Sequence, residues 1–507
     1  MLAKTESIAI IGTEARLVDV EVDVGVGLPT FRVVGLAAKS ITESEQRIRS
    51  ALQASDERWP PHRIVANLAP GGVRKEGTHL DLPLALCVLS ADGRLDGGLL
   101  DGWLVVGELA LDGSVRSIRG TLAAAIACRR ANLRGIVCPA GNAAEATVID
   151  GIEVAPVRSL SQCIAFLKGE VALEPIQHGD SASVRDVPDL ADVRGQDEAK
   201  AALEIAAAGA HNLLLQGPPG AGKTMLARRL PGILPPMSTE ESLEVTRVYS
   251  VAGLLPEGGG LITERPFRTP HHNISMAGLL GGGAGLARPG EVSLASNGVL
   301  FLDEISLYRR EALDSLRGPL EDRHIVIARS GGSVTMPSRL SLIAAMNPCA
   351  CGHLWEDQPP CTCSALDLLR HERKLSGPLL DRFDMQIQCH RVGREILTEP
   401  SGGSTSEEIR ARVCGARAMQ AERFGSRLVT NASVSRRVLE PIMGLTRGAR
   451  HELELAFDGA RLSGRGVERS LKLSRTIADL AGSDRVTADH MSAAIQLRVS
   501  DPAERAA

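Results

Sequence analysis

Gly217-Pro218-Pro219-Gly220-Ala221-Gly222-Lys223-Thr224 has the residue types and spacing of a phosphate-binding loop. Glycines at these positions let successive backbone N–H groups curl around a phosphate, and a following helix adds the positive end of its dipole. Lys223 would reach the terminal phosphates, and the Thr224 hydroxyl would ligate magnesium. Downstream, Val299-Leu300-Phe301-Leu302 runs into Asp303 and Glu304. There Asp303 can hold the magnesium through water, while Glu304 can orient and deprotonate an attacking water. A glycine-rich turn or a strand-end cap would account for either motif alone. The two in this order point to hydrolysis of a nucleoside triphosphate.

Both motifs need a buried strand to carry them. Leu213-Leu214-Leu215 reads as such a strand, and Met225-Leu226-Ala227 opens a helical pattern behind the loop. Leu342–Met346 reads as another strand, ending in Asn347, and Ser306–Leu320 as a helix with Leu307, Ala312, Leu316 and Leu320 on its apolar side. Upstream, alternation at Ser7–Ile10, Val18–Val24 and Phe31–Leu36 predicts strands, with further strands at Trp103–Leu109 and Gly135–Pro139. Helices are expected at Ser44–Ala54, Asp81–Leu89 and Leu122–Ala131, which makes this region α+β. Beyond the core, helical spacing at 407–424, 434–443, 466–480 and 488–497 predicts a four-helix unit. The expected organisation is a domain over 1–170, a linker over 171–189, an α/β core with a parallel sheet over 190–392, a linker over 393–406 and a helical unit over 407–507.

A chain of 507 residues exceeds the ~250–300 at which single cores stop growing, so several domains are required. The net charge of −4 gives no global nucleic-acid footprint, and any such contact has to be local. With few aromatic residues, the cores must be filled by Leu, Val, Ile and Ala. No apolar run reaches the ~20 residues of a membrane span, and the first residues lack the apolar core of a signal peptide, so cytoplasm is the expected location.

Two stretches invite further chemistry. Arg265-Pro266-Phe267-Arg268-Thr269-Pro270-His271-His272, with Gly281–Gly283 and Arg288 beyond it, predicts a projecting loop or hairpin carrying cationic and imidazole groups. It would track a phosphate backbone or pack against another subunit. Of the ten cysteines, Cys349, Cys351, Cys361 and Cys363 fall within fifteen residues. Two C-x-C pairs around a polar loop can offer four thiolates to zinc, with His353 as a substitute ligand; free thiols in a surface loop are the alternative.

Val106–Val115 resembles a stretch of the Lon protease proteolytic domain, and Lys75-Glu76-Gly77 the segment before its nucleophile. His79 stands where that family has its Ser and Leu122 near its Lys, so the resemblance implies a Lon-like fold without the protease pair. Asp192–Lys200 resembles the entry of AAA+ ATPases, which implies that Val193 and Gly195 lie against adenine and that the nucleotide is ATP. Asn347 is placed like the first sensor of those proteins. Pro378-Leu379-Leu380-Asp381-Arg382-Phe383-Asp384 is similar to a segment of minichromosome-maintenance helicases and magnesium-chelatase ATPases in which the Arg touches a neighbouring subunit's γ-phosphate. Arg465, with Arg469 and Arg475 as competitors, is placed like a second sensor acting within its own subunit. Taken in order, these motifs resemble the YifB/ComM family of magnesium-chelatase-like AAA+ proteins, from which Ala350 and Cys389-His390-Arg391 depart. The resemblance implies a hexameric helicase that migrates DNA branches while incoming single strands are integrated in natural transformation. A chelatase-like metal-insertion motor and a protein remodeller are the rival readings.

Overall fold

The structure is a computed structural model. It describes residues 1–174, 176, 187–283, 287–329, 332–356, 359–393, 403–459 and 462–498. Much of both expected linkers lies outside the described residues. Five short segments form one all-parallel sheet, in the order Phe267–Arg268, Val299–Leu302, Ser341–Met346, Leu213–Gln216, Met385–Gln388. Its central strand, Ser341–Met346, is buried at every residue, which is why its sequence is a near-continuous apolar run. Because all five strands run the same way, their carboxyl ends open on one edge. Gly217, Asp303 and Asn347 follow three adjacent strands directly, so strand order alone gathers the chemistry at that edge.

One core ties the helices to this sheet. Ala202 and Ala206 from Asp197–Gly209, Leu226 and Leu230 from Lys223–Ile233, and Ile409 and Val413 from Ser406–Phe424 pack together, joined by Leu473 and Ala494 of the last two helices. The C-terminal helices therefore close directly over the helix that begins at the phosphate loop.

The N-terminal region is a seven-stranded mixed sheet. In Glu14–Gly25, Val18, Val20, Val22 and Val24 alternate inward. They pack with Asp81–Ala91, a helix buried along its whole length and apolar all round. The second face of the sheet reaches the α/β core. Val251, from the helix Thr239–Ala252, is buried among Ile8, Ile10, Ala123 and Ala124, and the Gly120 N–H donates to the Ser250 carbonyl at 3.2 Å.

Three expected elements differ. The stretch 306–320 is not one helix: a 3-10 turn at Ile305–Leu307 is followed by helices at Arg310–Ser315 and Arg317–Asp322. Tyr308 is extended between them, and Pro319 is tolerated because it falls in the first turn of the last helix. The helix expected at 434–443 shrinks to Arg436–Leu439 and a 3-10 turn that contains Pro441, while Arg447–Asp458 supplies a helix that the sequence reading omitted. Trp103–Leu109 breaks into two strands at Val106-Gly107.

A buried ionic node joins sheet and lid. Asp384, 1% exposed, accepts from Arg469 Nη1 at 2.6 Å and the Asn212 N–H at 3.0 Å, and meets His211 Nδ1 at 3.3 Å. Burial works to raise its pKa, but the charges of Arg469 and His211 outweigh it and hold the carboxyl well below the usual range. A depressed carboxylate contributes stability above the unfolded pKa of ~4 and loses it as pH falls below that. Asp384→Asn, which strands Arg469, should therefore lower unfolding free energy at neutral pH by about 3–5 kcal/mol in chemical denaturation, and the wild type's advantage should shrink below about pH 4.

Candidate nucleotide-binding site

The phosphate loop leaves the sheet at Gly217, where the next strand end comes very close. A Cβ on Gly217 would lie 2.2 Å from the Cys389 carbonyl oxygen, so this first glycine is required by backbone approach. Gly220 and Gly222 have φ of +82° and +84°, the turn that starts the helix Lys223–Ile233. Lys223 is 9% exposed, and its Nζ donates to the carbonyls of Gly217 at 2.6 Å and Pro218 at 2.9 Å and to Asn347 Oδ1 at 3.2 Å. Burial draws the Lys223 pKa down, against the opposing charges of Asp303 and Glu304 nearby, and among the described residues its hydrogen-bond acceptors are neutral oxygens.

Thr224 Oγ1 donates to Asp303 Oδ2 at 2.8 Å, and the Glu304 N–H donates to Asp303 Oδ1 at 3.0 Å. A hydroxyl beside a carboxylate is a hard-oxygen pair that suits Mg²⁺, so these residues fit the ion that the sequence implies. Glu304 sits in the left-handed region at φ 47° and is exposed at the rim of the site. That backbone turn separates the two carboxylates: Asp303 faces Thr224, and Glu304 lies on the open side.

Several positioning residues were not legible in the sequence. Gln196 Nε2 donates to the Ala221 carbonyl at 2.9 Å and the His390 carbonyl at 2.5 Å, tying the segment that holds Val193 and Gly195 to the phosphate loop. Val193 itself is buried. His371 Nε2 meets the Asn347 carbonyl at 2.9 Å and fixes the end of the strand Ser341–Met346. No sequence pattern signals either contact, because each joins segments far apart in the chain.

The arginines singled out in the sequence are held by other groups. Arg382 is 3% exposed, with Nη2 2.6 Å from Glu321 and Nη1 donating to the Pro378 carbonyl at 3.1 Å. Arg465 faces Asp381 at 3.5 Å. Its competitors are committed elsewhere: Arg469 to Asp384, and Arg475 to Asp479 and lid carbonyls. The expected projecting cationic loop is corrected. Arg265 pairs with Glu241 at 2.9 Å and Arg268 with Glu291 at 2.6 Å, and Phe267–Arg268 is the edge strand of the sheet. His271 and Arg288 remain exposed.

Above Pro219 lies the cysteine loop. Sγ of Cys349 is 3.4 Å from that of Cys351 and 3.8 Å from that of Cys361, and Cys351 is 3.6 Å from Cys361; Cys363 completes a group with all four sulfurs within 4.8 Å of one another. His353 is not part of it: its Nδ1 meets Glu356 at 2.5 Å. In the N-terminal region His79 is buried, with Nε2 on the Ile8 carbonyl at 2.8 Å, and burial pushes its pKa down. Leu122 is wholly buried.

Known proteins match over the whole chain. The family described as magnesium chelatase, subunit ChlI, matches residues 189–397; its C-terminal unit matches 403–498, and the ChlI subunit description matches 20–142. Rv2897c of Mycobacterium tuberculosis is 44% identical over 500 residues, 98% of each chain. YifB of Salmonella typhimurium is 40% identical over 501 residues, covering 99% of this chain and 97% of the relative. Competence protein ComM of Haemophilus influenzae is 39% identical over 505 residues, covering 98% and 97%.

Two substitutions separate holding a phosphate from using it. Lys223→Ala should weaken MgATP binding about ten- to hundredfold, the scale of a lost charge-assisted hydrogen bond. Asn347→Ala should change affinity only a few-fold but cut turnover about 10²-fold or more. Nucleotide titration beside steady-state hydrolysis reads both.

Proposed function

Because the chain belongs to the YifB/ComM family of magnesium-chelatase-like AAA+ proteins, we propose that it works as a ring-forming, ATP-driven motor on DNA. In this reading it is a hexameric helicase in the cytoplasm that promotes branch migration while incoming single strands are integrated in natural transformation. The observation that carries the motor reading is the cluster at the sheet edge: a buried Lys223 held by neutral oxygens, Asn347 among them, and the Thr224–Asp303 pair. ATP supplies the anion and Mg²⁺ the cation; Glu304 lies on the side from which water would attack.

Assembly is the second part of the reading. Among the described residues, Arg382 and Arg465 are held by the carboxylates of Glu321 and Asp381. Exposed carboxylates are exchangeable partners for a guanidinium, so a neighbouring subunit's phosphate can replace them. Arg382 then acts across the subunit boundary, while Arg465, at the start of the helix Gly464–Leu480, keeps the role within its own subunit. The name of the Haemophilus relative, a competence protein, favours DNA as the polymer. His271 and Arg288 are the exposed candidates for its backbone, since Arg265 and Arg268 are consumed by internal pairs.

The deciding experiment is the ATPase rate with single-stranded, duplex and branched DNA at two salt concentrations. Salt-sensitive stimulation is expected, because phosphate contacts release counterions. Stimulation by unfolded protein or by chelatase partners in place of DNA would overturn the helicase reading in favour of a remodeller or a metal-insertion motor. Glu304→Gln should bind MgATP with near-normal affinity, hydrolyse it about 10²- to 10⁴-fold more slowly and trap the assembled ring. Near-normal turnover by this variant would remove Glu304 from the chemistry. Arg382→Ala should likewise bind ATP but lose turnover about 10³-fold or more, and mixing it with Lys223→Ala subunits should restore part of the rate.

A further inference from the structure

The segment from Pro348 to Ser364 follows the strand Ser341–Met346 and Asn347, and at Gly352 it lies against Pro219 of the phosphate loop. Its described residues form neither helix nor strand, and apart from Cys349 and Gly352 none is buried. A stretch this long without secondary structure or apolar anchoring needs another staple to hold one conformation. It has one candidate. A tetrahedral zinc with Zn–S near 2.3 Å sets its sulfurs about 3.8 Å apart, and the Cys349, Cys351 and Cys361 sulfurs stand 3.4, 3.6 and 3.8 Å from one another. Cys363 lies within the same 4.8 Å group and also accepts the Cys351 N–H at 3.4 Å, the kind of second contact that orients a thiolate ligand. Each distance is far longer than the ~2.05 Å of a disulfide, and all four cysteines are free.

The same loop touches the phosphate loop in two places. Gly352, at φ +88°, lies against Pro219, where an added Cβ would come within 2.7 Å of the proline Cδ. Arg391 Nη2 donates to the Pro219 carbonyl at 3.3 Å, and its Nε pairs with Glu356 at 2.7 Å, the carboxylate that also meets His353. Pro219 is otherwise exposed, on the outer side of the turn that cradles the phosphates. The loop is rooted at Asn347, so one strap joins that residue to the outer edge of the phosphate loop.

We propose that Cys349, Cys351, Cys361 and Cys363 bind one Zn²⁺ in a four-thiolate site, and that the metal holds this strap against Pro219 so that its occupancy sets nucleotide affinity. The metal part stands on sulfur geometry alone; the effect on nucleotide rests on the reading of Gly217–Thr224 as an ATP site. Zinc is structural here, with no open coordination position and no part in hydrolysis.

The test uses the full chain. Elemental analysis should find one zinc per chain in the wild type and none in the Cys351→Ser/Cys363→Ser variant. Cobalt exchanged into the wild type should give a thiolate-to-cobalt charge-transfer band with the intense visible bands of tetrahedral coordination, a readout that does not depend on any variant folding. Gly352→Ala should keep its zinc, since Gly352 contributes no ligand, yet bind MgATP roughly tenfold more weakly because the strap must lift from Pro219. A metal-free wild type without the cobalt spectrum would overturn the site. Unchanged affinity in Gly352→Ala would overturn the strap. A zinc-loaded wild type that binds no ATP would instead refute the nucleotide reading and leave the metal site supported.

Discussion

The structure depends on one buried charge. Lys223 is buried at the carboxyl edge of a parallel sheet, and the oxygens that reach it belong to two carbonyls and an amide. Taking an ammonium out of water is costly, and neutral oxygens offset that cost only in part. A phosphate at this edge would add the anion that offsets the rest. The rest of the core keeps that arrangement fixed: Gly217 lets the Cys389 strand end approach, Gln196 pins Ala221, and His371 pins Asn347.

The sheet makes this economical in sequence. In an all-parallel sheet every strand delivers its following residue to the same edge, so three side chains far apart in the chain meet with no dedicated scaffold. It also explains what was legible in advance. The phosphate loop, the Asp303–Glu304 pair and Asn347 each follow an apolar run that can only be a buried strand, and the inference from run to strand to strand end is local. Valine alternation in Glu14–Gly25 and the all-apolar Asp81–Ala91 were legible for the same reason.

What the sequence hid was pairing. Arg265 and Arg268 read as free cations in a Gly- and Pro-rich stretch, but their carboxylate partners, Glu241 and Glu291, sit on separate helices. Arg465 had the local signature of a helix start, and nothing local revealed that Asp381 would hold it. Pro319 and Pro441 mark the other failure. Apolar spacing suggested continuous helices through both, whereas each proline sits at a short helix or turn start, where its missing N–H costs nothing.

The node at Asp384 shows how the segment that carries Arg382 stays coupled to the phosphate-loop strand. Asn212, one residue before the phosphate-loop strand, donates its N–H to Asp384 and its side-chain Nδ2 to the Arg382 carbonyl at 3.0 Å, and its Oδ1 accepts from the Leu342 N–H at 2.8 Å. Arg498, from the end of the lid, donates to the carbonyls of Phe383 and Asp384 at 3.2 and 3.0 Å, and Arg469 adds the ion pair. The segment that presents Arg382 is thus bonded to the phosphate-loop strand, the strand Ser341–Met346 and the lid at once. Buried hydrogen-bonded groups of this kind have discrete arrangements, since a half-broken network leaves charges unpaired. A shift of the lid relative to the sheet therefore strains the segment that carries Arg382, which is how this network couples the lid to the strand that enters the phosphate loop.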